Sequence, residues 1–148
     1  SRDTSPYVHF RGADIRASLQ GLRGEAGDPY EGVPLSLVNP ANGAPLFPTI
    51  GYGAQLIRAG EETMHKRETA STVYVCMEGR GRTELAGATF EWEENDIFVV
   101  PNFLWRRHVN EGAKDAVLYT MSDAPLVDRI GQYRAQGRTK SGDVIELA

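Results

Sequence analysis

The chain has 148 residues, 41% of them hydrophobic and 24% charged, with 16 glycines, 8 prolines and a formal net charge of −4. That length and composition fit one globular domain with a sizeable core, and the turn-formers point to many short strands. The acidic balance argues against a nucleic-acid partner, no apolar run is long enough to span a bilayer, and the lone Cys76 excludes an internal disulfide and a cysteine-based zinc site.

Residues 1–53 read as a lead-in. An extended arm covers 1–12, and "ADIRASLQGLRG" then places Ile15, Leu19 and Leu22 at helical spacing before Gly24. The Pro-, Gly- and Asn-rich segment that follows reads as loops around one or two short strands, one of them near Leu35–Val38. Over residues 54–122 the texture changes. "AQLIRAG", "TVYVCMEG", "GRTELAG", "ATFEWEEND", "IFVVP", "RRHVNEG" and "AVLYTMSD" are β-rich runs, each closed by a turn signal, as in an all-β sandwich or barrel. Residues 123–148 read as a helix and a tail. Asp123 is the expected N-cap, Pro125 lies in the first turn, Leu126, Val127, Ile130 and Tyr133 are its apolar residues, and an edge strand is expected at Val144–Leu147. Apolar residues occupy both parities of 73–77, which points to burial of both sheet faces or to an oligomer interface. Cys76 within that run reads as a buried structural thiol. A reducing, cytoplasmic setting is expected, and the opening Ser1 is expected of a trimmed chain or of a later part of a longer protein.

Two spacings carry the functional argument. Gly60 is followed after five residues by Lys66-Arg67-Glu68, then by Thr72 and Gly79. Asn95 is followed by Pro101, Phe103, Arg106 and Asn110. These intervals resemble the two signature motifs of the cupin family, an H-x-H pair followed by Glu between glycines, and a second glycine-framed motif that supplies one more His and an Asn. The resemblance implies an all-β cupin, a double-stranded β-helix or jelly-roll barrel, with short flanking helices. In such a barrel an H-x-H pair aims both imidazoles to one side of a strand, and a third histidine with a carboxylate completes a site suited to Fe(II) or Mn(II). Here those four places hold Lys66, Glu68, Thr72 and Arg106. Lysine and arginine only donate and repel a cation, so neither a metal nor a catalytic residue is expected on this chain. Lys66, Glu68 and Arg106 should pair internally or await an anionic ligand, because an unpaired buried charge is costly. His65 is one residue off the pair and should face the other side. His108 shares the parity of Arg106 and is expected at the cavity mouth, where it and Tyr74 are candidate ligand contacts.

The resemblance is closest to the C-terminal cupin half of the gentisate 1,2-dioxygenase family, which includes enzymes cleaving salicylate and 1-hydroxy-2-naphthoate. It is carried by "YEGVPLSLVNPANGAPLFPTI", "LIRAGEET", "TASTVYVCMEGRGRTELAGATFEWEENDIFVVPNFLW" and "DAVLYTMSDAPLVDRIGQYR". It implies a bicupin, commonly a homo-oligomer acting in aromatic catabolism, with Fe(II) on three histidines of the other cupin domain. Where relatives read "HRHT" and "WHEH", this chain reads "KRET" at 66–69 and "WRRH" at 105–108. The expected function is a metal-free barrel supporting a ring-cleaving oxygenase whose iron lies elsewhere. Two alternatives stay open. One is a binding module for a small aromatic acid, gripped by Arg106 and stacked on Tyr74. The other is a stand-alone dioxygenase with an unorthodox metal site built from Glu68 and His108.

Overall fold

The computed structural model describes residues 9–148; most of the arm expected over 1–12 lies outside them. In chain order the elements are α1 (Gly12–Leu22), β1 (Val33–Leu37), β2 (Gly51–Ile57), β3 (Lys66–Glu68), β4 (Thr72–Glu78), β5 (Arg80–Leu85), β6 (Ala88–Glu93), β7 (Ile97–Val100), β8 (Arg106–Val109), β9 (Ala116–Ser122), α2 (Ala124–Arg129), β10 (Ala135–Arg138) and β11 (Val144–Glu146). No described helix is long and apolar enough to cross a membrane.

The strands form two antiparallel sheets, ordered β1-β2-β9-β4-β7 and β11-β10-β3-β8-β5-β6. Residues two apart on a strand share a face. Tyr74 and Cys76 of β4 therefore join Ile57, Ala116 and Leu118 of the neighbouring strands in a core with Trp92 from the second sheet. The opposite face of the first sheet is buried only in part. There α1 lays Ile15 and Leu19 on Val33, Ala54, Leu56 and Val117, which accounts for the second apolar parity of β1, β2 and β9 but not that of β4. Beyond the helix Met77, Ile97, Val99 and Met121 on the same sheet are exposed.

Two elements differ from the sequence expectation. The second helix ends at Arg129 rather than running through Tyr133, because Gly131 turns left-handed (φ 74°) and Ile130 points to solvent. Asp123 holds the N-cap position as expected, but its side chain makes no cap hydrogen bond. That carboxylate accepts from the Ser71 amide at 2.8 Å, and the Ser122 hydroxyl accepts from Ala124 N–H at 3.0 Å instead. The expected edge strand at Val144–Leu147 is β11, but it pairs with an unexpected strand, β10, which joins it to β3. "AQGR" carries no β-branched residue, so it lacks the usual strand signal. Its Gly137 is set by tertiary contact, since a Cβ there would lie 2.5 Å from the Tyr30 ring.

Candidate functional site

The turns of the two motifs keep a left-handed backbone. Gly60 and Gly79 have φ of 78° and 75°, and a Cβ on Gly79 would come within 2.7 Å of the Asp115 carbonyl oxygen. The two motif glycines that this chain lacks are replaced by Asn95 (φ 75°) and Phe103 (φ 57°), which adopt the same conformation. Asparagine visits that region readily, whereas for phenylalanine it costs roughly 1–2 kcal/mol. Two contacts hold Phe103 there. Its N–H donates to the Glu68 carbonyl at 2.6 Å, and the Arg67 guanidinium lies 4.3 Å from its ring centroid. Asn110 is buried and fully bonded, donating to the carbonyls of Ile57 (3.0 Å) and Lys114 (2.9 Å) and accepting from Gly112 N–H (2.9 Å).

The four positions where the motifs would supply ligands hold Lys66, Glu68, Thr72 and Arg106. Lys66 and Arg106 are register partners across β3 and β8, so their side chains are neighbours on one face. The acid between them is Glu31, which corrects the expectation of a Lys66–Glu68–Arg106 cluster. The Glu31 Oε1 atom accepts from Lys66 Nζ at 3.0 Å and from Arg106 Nη2, and its Oε2 accepts from the Gln55 amide. Arg106 spends its second arm on the Tyr30 carbonyl at 2.8 Å. Glu68 sits to the side, accepting from the Tyr133 hydroxyl at 2.6 Å and lying 3.9 Å from Lys66 Nζ. Thr72 is buried at the start of β4, and among the described residues no side-chain hydrogen bond ties it to the cluster.

Glu31 reaches this position on a short turn. The Asp28 carboxylate accepts from the amides of Tyr30 (2.7 Å) and Glu31 (3.0 Å), folding residues 28–32 back on themselves. Burial alone would raise the Glu31 carboxyl. The charges of Arg106 and Lys66, with their hydrogen bonds, more than offset this and hold it at about 2. Burial opposes the charge on Arg106 in turn, and Glu31 reverses that effect, leaving the guanidinium more basic than usual.

Tyr74 and His108 lie deeper than expected. The Tyr74 ring is fully buried and stacked on Phe98, with centroids 4.8 Å apart, so one face is already taken. Burial raises its phenol. His108 is in the interior, not at a cavity mouth. Its Nδ1 pairs with the Thr83 hydroxyl at 2.9 Å, which accepts from Trp92 Nε1 at 2.9 Å, while its Nε2 is buried with no partner among the described residues. Burial first, and the Arg106 charge second, push this imidazole down to about 3, so it is neutral at ordinary pH. His65 is half-exposed, 3.9 Å from Glu84.

Fe(II) does not fit these positions. Lys66 and Arg106 have no lone pair to give, and Glu31, the carboxylate between them, already accepts from three donors. Among the described residues no group of three or more His, Cys, Asp or Glu is placed to hold a metal ion. The sequence reading missed Glu31, Gln55 and Tyr133. A single acid in a loop has no periodicity to mark it; the one available signal was that two buried cations demand more than one counter-ion.

Residues 55–122 match the family model described as a cupin domain. The chain is 36% identical over 139 residues to the 5-aminosalicylate 1,2-dioxygenase of Comamonas sp., covering 93% of this chain and 37% of that protein. It is 38% identical over 131 residues to the gentisate 1,2-dioxygenase of Haloferax sp., covering 88% of this chain and 36% of the relative. A crystal structure of salicylate 1,2-dioxygenase from Pseudaminobacter salicylatoxidans superposes with a TM-score of 0.79 at 28% identity, covering 86% of this chain and 38% of that one. The chain thus spans little more than a third of the relatives' length. The backbone of both motifs, the two-sheet barrel and these likenesses together make this a cupin domain similar to the C-terminal part of gentisate and salicylate 1,2-dioxygenases.

Proposed function

We propose that this domain is a metal-free cupin barrel that supports an oligomeric aromatic ring-cleaving dioxygenase of the cytoplasm, whose iron is held by another cupin domain. The observation that carries this reading is the Glu31 carboxylate bound to both Lys66 and Arg106, in the places where the motifs would supply histidines. That arrangement pairs its own charges, and its lysine and arginine offer a metal cation no lone pair. Two further facts support it. The chain accounts for only 36–37% of relatives named as dioxygenases, which leaves room in them for a second domain. The uncovered face of the first sheet, around Ile97 and Val99, supplies an apolar surface for that second domain to cover.

The test is a ring-cleavage assay on the purified chain with gentisate, Fe(II) and oxygen, followed by absorbance of the ring-opened product. No turnover is expected from this chain alone. Turnover that tracks added Fe(II) would overturn the reading.

A further inference from the structure

We propose that Lys66, Arg106 and Gln55 form a binding site for one small monocarboxylate, and that Glu31 of the same chain is its tethered occupant. The proposal rests on the cation pair and holds whether or not the barrel serves an oxygenase. Three donors converge on the two oxygens of one carboxylate, two of them charged. Charge-assisted bonds of this kind are the stronger ones, and a guanidinium is suited to carboxylates. Lys66, Gln55 and Arg106 are all strand residues, fixed by sheet pairing on both sides. Glu31 is not. It arrives on the turn at 28–32, outside the named strands, and its side chain can swing out while the Pro29 and Tyr30 carbonyls keep their bonds to Met64 N–H and Arg106, each 2.8 Å.

The charge balance names the ligand class. With Glu31 in place, two cations (Lys66, Arg106) face two carboxylates (Glu31, Glu68). Withdrawing Glu31 leaves one buried positive charge in excess, which a monoanion neutralises and a phosphate dianion overshoots. Gln55 adds a neutral donor from the facing sheet: the residue is 7% exposed and its Nε2 donates to Glu31 Oε2. The Glu31 side chain thus acts as a plug, and the barrel takes an external acid only when that plug is out.

The test is chemical rescue. Glu31→Ala deletes a CH2–COO⁻ unit, the size of acetate. The purified full-length variant is titrated with sodium acetate against sodium chloride at matched ionic strength, reading Tm and calorimetric binding. A ligand of the folded state raises apparent stability in a saturable way. Acetate is expected to raise the Tm of Glu31→Ala and to bind it at least ~10-fold more tightly than the wild type, about 1.4 kcal/mol. The gain should vanish in Glu31→Ala/Arg106→Leu, and inorganic phosphate should not reproduce it. A folded Glu31→Ala that binds acetate no better than the wild type overturns the proposal. If the variant does not fold in chloride, refolding in acetate becomes the readout: recovery in acetate alone supports the site, and failure in both salts overturns it.

Discussion

The left-handed turns and the inward-facing ligand positions belong to the same two motifs, yet they keep different things. At Gly60, Gly79, Asn95 and Phe103 the backbone conformation is the same, even where the residue is not glycine. At Lys66, Glu68 and Arg106 the direction of the side chain is kept and its chemistry is replaced. A turn position is fixed by how the chain must reverse between strands, and only a few residues meet that demand cheaply. A ligand position is fixed only by the need to leave no charge unpaired, and several sets of residues can meet it. The same backbone frame can therefore hold an internal ion cluster at the motif positions.

The largest effect should come from breaking that cluster. Arg106→Ala leaves Glu31 only Lys66 and Gln55 and also frees the Tyr30 carbonyl, and should cost about 3–5 kcal/mol in urea unfolding. Lys66→Met leaves Glu31 its bonds to Arg106 and Gln55, so it should cost less, about 1–3 kcal/mol. Equal losses for the two would show that Arg106 is not the principal partner. On the turn side, Gly79→Ala forces a Cβ toward the Asp115 carbonyl at a left-handed position and should cost more than ~1 kcal/mol.

Acid should separate two parts of the interior. The His108 imidazole is depressed from 6.5 to about 3, so the unfolded chain binds its proton first as pH falls. The stability that neutral His108 contributes is complete above pH 6.5 and is lost progressively down to about 3. Glu31 is depressed from 4.5 to about 2, so its contribution is complete above 4.5 and is lost as pH falls through about 2. Urea unfolding from pH 7 to 3 should show stability declining below 6.5 and steepening below 4.5, and Glu31→Gln should remove only the second component. Among these changes the smallest effect is expected for Asn95→Gly, within ~0.5 kcal/mol, since asparagine already tolerates its conformation. A loss above that would assign the Asn95 side chain a role beyond the turn.

Much of this architecture was legible in the sequence, for identifiable reasons. β-rich runs closed by turn signals, "TVYVCMEG" and "AVLYTMSD", marked β4 and β9, and each buries one parity in the barrel core. Fixed spacing located Lys66 and Arg106 on one inward face before any geometry was known. Where tertiary contact overrides local pattern, the reading failed. Gly137 is set by the Tyr30 ring and not by strand propensity, and Asp123 is drawn off its cap by the Ser71 amide. Glu31 was invisible for the same reason, since its partners Lys66 and Arg106 lie 35 and 75 residues away in sequence.

Elemental analysis of the protein purified without chelator tests the central claim most directly. With lysine and arginine at the ligand positions and Glu31 between them, iron, manganese, nickel and zinc should each be a small fraction of one atom per chain. A stoichiometric transition metal would contradict the account and turn the search to Glu68 and His108 as ligands of a site built differently.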